Sequence, residues 1–320
     1  MPDVSVIIPT TGRPSLAEAV ATVRAQQGVS VHLVVVCDLA EAPPSVVELR
    51  DQIDELVCTG GGRRGSFARN LGVQHAAPNT HLAFLDDDDA WLPGKLTAQL
   101  PVLERLAADG ALPVVSSRTL QRKAGSSPLP SAVPATLIAD GQLPEDYLFR
   151  QRRLGVTRQS LPTSTLLTTV DLALRCPWDE SLPRHQDWDW LVRAARIPGA
   201  KVVQIKEATA VYTVGSPGSI SADADWRTSW DWARRWEGVW APKTFSDFIA
   251  AQTLRYALQA RDREGIREMV RAIRRNATPS ARNFVLATLG LVPRSALERV
   301  AMRRSRGARD ATALPTGGFR

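Results

Sequence analysis

Cysteine is scarce in this chain, with three residues in 320, at positions 37, 58 and 176. They lie far apart, show no metal-ligand spacing and cannot all pair. That excludes a disulfide framework and a thiolate zinc site, and reads as reduced core thiols of a cytosolic protein. Histidine is almost as rare, with four residues and none after His185. No window approaches eighteen uninterrupted apolar residues, so no transmembrane helix is expected. The opening MPDVSVIIP lacks a basic region followed by a long apolar stretch, and no signal peptide is read there. The glycine-rich GGGRRG at 60–65 has no Lys-Ser/Thr after it and lacks dinucleotide spacing, so neither phosphate-binding fingerprint applies.

What is present is ordinary in amount and uneven in placement. Hydrophobic residues at 44% and charged residues at 23% fit a globular protein with a full core. The net charge of +7 is concentrated at the end: residues 261–320 hold fourteen Lys/Arg against five Asp/Glu, a net of +9, leaving −2 for the first 260. A near-neutral body with a basic tail argues against a nucleic-acid-binding core and for a tail that meets an anionic surface.

The first half alternates strand-like and helix-like segments. VSVIIP (4–9), VHLVVVCD (31–38), ELVC (55–58), HLAFLD (81–86) and LPVVSS (112–117) read as strands. Between them lie helical stretches: SLAEAVATVRAQQ with Ser15 and Glu18 as a capping box, SFARNLGVQHAA, and PGKLTAQLPVLERLAADG despite Pro101. Continuous apolar strands separated by helices imply a mostly parallel sheet covered on both faces, with ligands bound beyond the strands' carboxyl ends. Residues 118–145 read as a loop excursion. LPTSTLLTT (161–169), a helix over HQDWDWLVRAARI (185–197), and two strands, KVVQIK (201–206) and AVYTV (210–214), follow. From about 222 onward the chain reads as helix.

The stretch LAFLDDDDAWLPGKL drives a buried strand into four adjacent carboxylates, with no basic residue beside them until Lys95. Hard oxygen ligands grouped at a sheet's ligand-binding edge suit Mg²⁺ or Mn²⁺ bridging substrate phosphates. A phosphohydrolase using Asp-x-Asp as nucleophile and acid competes, although such motifs are usually followed by Thr/Ser where this chain has Ala90-Trp91. A solvated surface run is the plainest alternative. In HQDWDWLVRAA, Asp187 and Asp189 fall on different helix faces. A helix-start carboxylate is favoured by the dipole alone, whereas Asp187 flanked by Trp188 and Trp190 could instead be a general base. Arg63, Arg64 and Arg69 in GGGRRGSFARN could form an anion site at a helix N-terminus.

Taken in order, VSVIIPTTGRP, VVVCD, GSFARNLG, LAFLDDDDAWLPGKL and LPTSTLLTT…CPWDESLPRHQDWDWLVRA resemble a family 2 glycosyltransferase of GT-A fold over about residues 3–215. The resemblance implies a mixed, mostly parallel α/β sheet flanked by helices, with a helical C-terminal extension. It implies donor-nucleotide contacts from Pro9, Thr10, Arg13, Asp38, Arg69, Asp86 and Asp87. Asp88 and Asp86 would hold Mn²⁺ or Mg²⁺, Asp187 would be the base that activates the acceptor, and Trp188 and Gln186 would lie on the acceptor side. CDLA departs from the family's Asp-Asp-Gly-Ser after the second strand, and YTVGSPGSIS lacks the His many members carry there, so a metal would rest on aspartates, diphosphate and water.

The implied activity is metal-dependent, inverting transfer from a UDP-, dTDP- or GDP-sugar to a glycan, glycolipid or peptide acceptor, in cell-surface polysaccharide or glycolipid assembly. Alternatives are transfer to a peptide or small natural product, or a catalytically silent nucleotide- or glycan-binding homologue. The expected organisation is a catalytic domain over 1–220, a basic helical extension over 221–310 and a disordered tail over 311–320. The expected location is cytoplasmic, peripheral on the inner membrane face through the basic tail. Five of nine tryptophans fall in DWRTSWDWARRWEGVW, at spacings that read as two stripes on one helix, packed or facing an acceptor.

Overall fold

A computed structural model of the chain describes residues 3–150, 159–215 and 225–291. The chain divides into two compact units, Met1–Asp223 and Ala224–Arg320. In the first unit the β-branched runs form β1 (Val4–Thr10), β2 (Val31–Cys37), β3 (Glu55–Cys58) and β4 (His81–Phe84), all parallel. The sheet continues through β5 (Ala90–Trp91), β6 (Leu112–Lys123), β7 (Leu167–Thr169) and β8 (Ala200–Val214), giving the order β3-β2-β1-β4-β7-β6-β8-β5. β7 is antiparallel to β4 and β6, β6 and β8 are parallel, and β5 is antiparallel to β8. The fold is therefore a mixed, mostly parallel sheet, as the resemblance implies.

Helices cover both faces because the central strands are apolar on both. α1 (Leu16–Arg24) and α4 (Lys95–Ala108) bury Leu16, Val20, Val23, Leu96, Leu100 and Leu103 against Val6, Ile8, Val35 and Cys37. On the other face lie α3 (Arg64–Gln74), α6 (Val170–Arg175) and α7 (Gln186–Ala194), after the short α2 (Pro44–Val47) and α5 (Pro144–Phe149). There Phe84 meets Trp178 edge-on at 5.4 Å, and Trp178 stacks on Trp190 at 5.2 Å. Pro101 sits in α4 on its exposed side, where the missing donor is tolerated.

Several expected boundaries shift. Ser15 makes no side-chain cap, because its backbone is already helical (φ −65°, ψ −19°), and the Glu18 carboxylate, instead of reaching back to it, receives both Arg122 Nη1 (2.5 Å) and Nη2 (2.8 Å). A bidentate, charge-assisted pair outweighs a neutral reciprocal cap. The supposed loop at 118–123 is the second half of β6. The two expected strands 201–206 and 210–214 are one continuous β8, since register shifts between Ser116 and Thr119 of β6 absorb the polar Lys206–Glu207 step.

The second unit is helical: α8 (Trp226–Arg234), α9 (Pro242–Phe248) running through a π-helical turn Ile249–Leu254 into α10 (Arg255–Gln259), then α11 (Arg263–Asn276) and α12 (Ala281–Thr288). α8 stops at Arg234, so Trp236 and Trp240 are not on a stripe of the same helix. Instead the chain turns, Trp236 stacks on Trp240 at 5.7 Å, and Trp232 meets Trp240 and Phe248 edge-on. All five indoles are buried. A cavity of about 270 Å³ is lined by residues including Trp226, Trp230 and Glu268, and there Trp230 already donates to Glu268 at 2.6 Å. No described helix is long and apolar enough to cross a membrane. The 220/221 boundary, the basic run from 292 and the tail 311–320 lie outside the described residues.

α3 approaches the sheet closely through Gly72, where an added Cβ would stand 2.5 Å from Ile7 Cγ2. Gly72→Ala is expected to destabilise the protein by about 1–3 kcal/mol through overpacking, read as a lowered urea midpoint at unchanged slope.

Candidate active site

β1 and β4 are neighbours and parallel, so the loops leaving their carboxyl ends meet at one edge of the sheet. Four consecutive aspartates there draw on a small set of partners, two of them shared. Asp86 Oδ1 accepts from Arg69 Nη2 at 2.5 Å, and its backbone N–H donates to Ser164 Oγ at 3.2 Å. Asp87 accepts from Thr10 Oγ1 at 2.7 Å and from Arg13 Nη1 at 3.3 Å. The same Arg13 nitrogen reaches Asp88 Oδ2 at 3.3 Å. Asp89 points inward, taking Ser164 Oγ at 2.6 Å and the Thr213 N–H at 2.7 Å. Burial pushes the Asp89 carboxyl well above the usual carboxylate range, with the Asp86 charge adding to it. Burial also raises Asp87, against the pull of the Thr10 hydroxyl and Arg13.

Lys95, the nearest base in sequence, does not answer this charge. Its ammonium is fully buried, donates to Gln99 and to the Thr165 carbonyl, and lies 4.7 Å from the centre of the Trp91 ring. Burial brings it down to about 7. Compensation comes instead from Arg13 and Arg69, supplied by distant parts of the chain.

Asp187 is the second residue of α7. Its carboxylate accepts from its own amide and that of Trp188, yet burial, aided by the Asp86 charge, holds it up at about 6. Arg69 links this helix to the aspartates: Nη2 bonds Asp86 while Nη1 donates to Gln186 Oε1 at 3.2 Å, with the guanidinium 4.8 Å from the Trp178 ring centre. Gly65 makes room for it, since a Cβ there would lie 2.8 Å from Arg69 Nη1. Arg69 Nε is buried without a hydrogen-bond partner among the described residues. His185 enters α7 at φ 62° and stacks on Trp188 at 4.6 Å, and Trp188 meets Phe149 edge-on at 5.2 Å. Asp189 faces away, buried and paired with Arg193 Nε at 2.6 Å.

Asp38, just past β2, grips the glycine loop. Oδ1 accepts from Thr59 Oγ1 (2.5 Å) and the Arg63 N–H (2.8 Å), and Oδ2 from the Arg64 N–H (2.6 Å). The loop needs this anchor and its glycines, because Gly60, Gly61 and Gly62 all have positive φ, as does Arg64. Pro9 lies half-buried in β1 beside Thr10. The structure thus gathers these residues at one turn in two hydrogen-bonded groups, Thr10–Asp87–Arg13–Asp88 and Asp86–Arg69–Gln186, of which the second reaches α7. It commits Asp38 to the loop.

Three participants escaped the sequence reading. Asp89 and Ser164 brace the aspartate turn from below. Tyr212, on β8, has its phenol raised by burial and, beyond that, by the charges of Asp89, Asp187, Asp86 and Asp88. Its one sequence signal is a polar aromatic near the end of a buried strand. Among the described residues no three His, Cys, Asp or Glu side chains gather to hold a metal alone. Asp86 and Asp88 nevertheless present carboxylates at a turn where acids outnumber the guanidiniums of Arg13 and Arg69 that touch them, a donor set that fits a hard divalent ion.

Residues 5–155 match the family model described as Glycosyl transferase family 2. Amylovoran biosynthesis glycosyltransferase AmsB of Erwinia amylovora is 30% identical over 148 residues, covering 46% of this chain and 46% of that protein. The chain thus spans about half the length of this curated relative. Among solved structures, S. aureus TarS 1-349 aligns with a TM-score of 0.51 at 13% identity, over 91% of this chain and 72% of that one. The same fragment in complex with UDP-GlcNAc aligns with 0.51 at 14%, over 90% and 73%. At those identities the likeness concerns the fold.

A carboxyl raised from 3.8 to about 6 costs stability wherever it is ionised in the folded protein. Replacing it by a neutral isostere removes that cost fully above pH 6, and the gain fades as pH falls toward 4, where the unfolded carboxyl also protonates. Asp187→Asn is therefore expected to stabilise the protein by on the order of 3 kcal/mol at pH 7.5 and by far less at pH 4, measured by denaturant unfolding at both.

Proposed function

We propose that this chain, whose residues 5–155 form a family 2 glycosyl transferase domain, moves a sugar from a nucleotide-activated donor to an acceptor hydroxyl with inversion at the anomeric carbon. The observation that carries this reading is the Asp86–Arg69–Gln186 chain of hydrogen bonds, which ties the aspartate turn to the helix bearing Asp187. A diphosphate-binding edge and a raised carboxyl are held in one frame.

In this reading Pro9, Thr10 and Asp38 border the nucleoside. Arg13 and Arg69 donate to donor oxygens, the buried Arg69 Nε gaining a partner. Asp88 and Asp86 would hold Mn²⁺ or Mg²⁺, which when bound would offset the carboxylates and the charge growing on the leaving diphosphate. Asp187 takes the proton from the acceptor hydroxyl on the face opposite the leaving group. At about 6 it is ionised at neutral pH yet more basic than an ordinary aspartate, which suits a general base. Gln186 and Trp188 border the acceptor, and Tyr212, which feels the charges of both the aspartates and Asp187, stays protonated as a further donor near the site.

A relative named for amylovoran biosynthesis favours a glycan or glycolipid acceptor in cell-surface polysaccharide assembly. The +9 carried by residues 261–320 fits an anionic membrane surface. A chain that ignores anionic vesicles would instead point to a peptide or small natural product as acceptor.

Calorimetric titration of UDP, dTDP and GDP, with Mn²⁺ and with EDTA, is expected to show metal-dependent binding of one nucleotide; UDP comes first because TarS was solved with UDP-GlcNAc. Folded protein that binds none of them overturns the donor site. Asp187→Asn is expected to lower turnover by about 10²–10⁴-fold with nucleotide affinity unchanged, and near-normal turnover in that variant removes the base. In the wild type, kcat/KM should fall with unit slope below about pH 6, where Asp187 protonates, and stay flat from there to pH 8. An acid limb near pH 4 would contradict the assignment.

A further inference from the structure

Two of the three cysteines, twenty-one positions apart, are register partners at the carboxyl ends of neighbouring parallel strands: Cys37 closes β2 and Cys58 closes β3. Adjacent strands lie about 4.8 Å apart, inside the roughly 4.4–6.8 Å separation of Cα atoms that a disulfide bridges. Both side chains leave the same face of the sheet. Val35 and Cys37 belong to the core cluster on that face, and Leu56, the register partner of Val35, packs against it. Cys58 follows Leu56 by two residues and so shares its side. Cys58 is exposed and Cys37, beside it, is buried, whereas the third thiol, Cys176, is buried beside Arg193.

The pair sits directly under the loop clamp. The residues that follow the two thiols are Asp38 and Thr59, joined by the 2.5 Å bond, and the Thr59 N–H donates to the Cys37 carbonyl at 3.0 Å. Asp38 in turn fixes the Arg63 and Arg64 amides. Bringing two Cβ atoms from sheet spacing to the roughly 3.8 Å of a disulfide moves the next residue on each strand, and hydrogen bonds this short lose their alignment when their ends shift by a comparable amount.

We propose that Cys37 and Cys58 are a thiol pair that hydrogen peroxide closes to a disulfide, and that closure loosens the Asp38 clamp on the Gly60–Arg64 loop. The exposed Cys58 thiolate attacks one peroxide oxygen, the O–O bond breaks, and hydroxide leaves to be protonated to water. The resulting sulfenic acid is attacked by the Cys37 sulfur. The S–S bond forms, the S–O bond breaks, and the Cys37 proton departs with the hydroxyl as a second water. Two thiols lose two electrons and one peroxide gains them. Burial and the neighbouring Cys58 raise the Cys37 thiol, which suits it to resolve rather than to attack first. The consequence for the donor rests on the function proposed above; the disulfide and the loop do not.

The test treats the full chain with hydrogen peroxide, maps peptides without reduction, and follows amide exchange over residues 59–66 and UDP affinity in Mn²⁺. The expected result is a linked 37–58 peptide, absent in Cys58→Ser. The Arg63 and Arg64 amides should exchange several-fold faster, and UDP should bind several-fold more weakly, all restored by dithiothreitol. Cys58 oxidised to sulfinic acid with Cys37 still alkylatable after unfolding overturns the pair. A linked peptide with unchanged exchange overturns the coupling to the clamp. Reduced protein that binds no UDP counts against the donor site, while peptide mapping and exchange still decide the thiol pair; Cys58→Ser, altered only at an exposed position, keeps folding out of the comparison.

Discussion

Like charge gathered at the edge of a buried sheet is the constraint around which the first unit is organised. Asp86 to Asp89 and Asp187 converge where β1 and β4 end, and two guanidiniums, from Arg13 and Arg69, are placed among them. Desolvated carboxylates cannot stay ionised side by side without compensation. The partners are therefore divided among them: a hydroxyl and Arg13 for Asp87, the same Arg13 for Asp88, Arg69 for Asp86, a serine and a backbone amide for Asp89. The turn from Thr163 to Thr165 exists in this geometry because Ser164 serves Asp86 and Asp89 at once, while its carbonyl takes the Trp91 indole at 2.8 Å.

Compensation is incomplete where chemistry is proposed. Asp187 sits at a helix start that favours a negative charge, yet burial and Asp86 outweigh two amide hydrogen bonds and hold it near 6. His185 takes a left-handed backbone just before it, a conformation that side chains rarely adopt. Arg69 is asked to serve both sides, and Gly65 is the empty volume that lets it do so. Such local costs persist only where the surrounding packing over-determines them, and here the Phe84–Trp178–Trp190 cluster supplies that rigidity beneath α7.

The second unit is held by a different interaction. Its core is aromatic, with Trp232, Trp236 and Trp240 packed on one another and on Phe248. Two of its helix starts are capped by acids: Asp225 takes the Arg227 and Thr228 amides, and Asp262 the Glu264 and Gly265 amides. Indoles so engaged contribute area rather than display it. Phe284, Val285 and Leu291, by contrast, stay exposed near the end of the described chain.

Much was legible in the sequence alone. Apolar runs of β-branched residues between helical periods determined a mostly parallel sheet, because burial on both faces leaves no other pattern. The ordered motifs carried the family resemblance and pointed to the end of the sheet at which to look. Tertiary structure decided what spacing cannot carry. That Lys95 turns into the core while Arg13 and Arg69 meet the aspartates depends on crossings between distant segments. That Glu18 leaves its cap for Arg122 depends on a partner 104 positions away. The continuity of β8 was hidden by Lys206 and Glu207, whose polarity mimics a turn until the bulge in the β6–β8 ladder is seen. Cysteines that look isolated in the chain become neighbours because parallel strands restore in space what sequence separates: register, not spacing, sets which side chains meet.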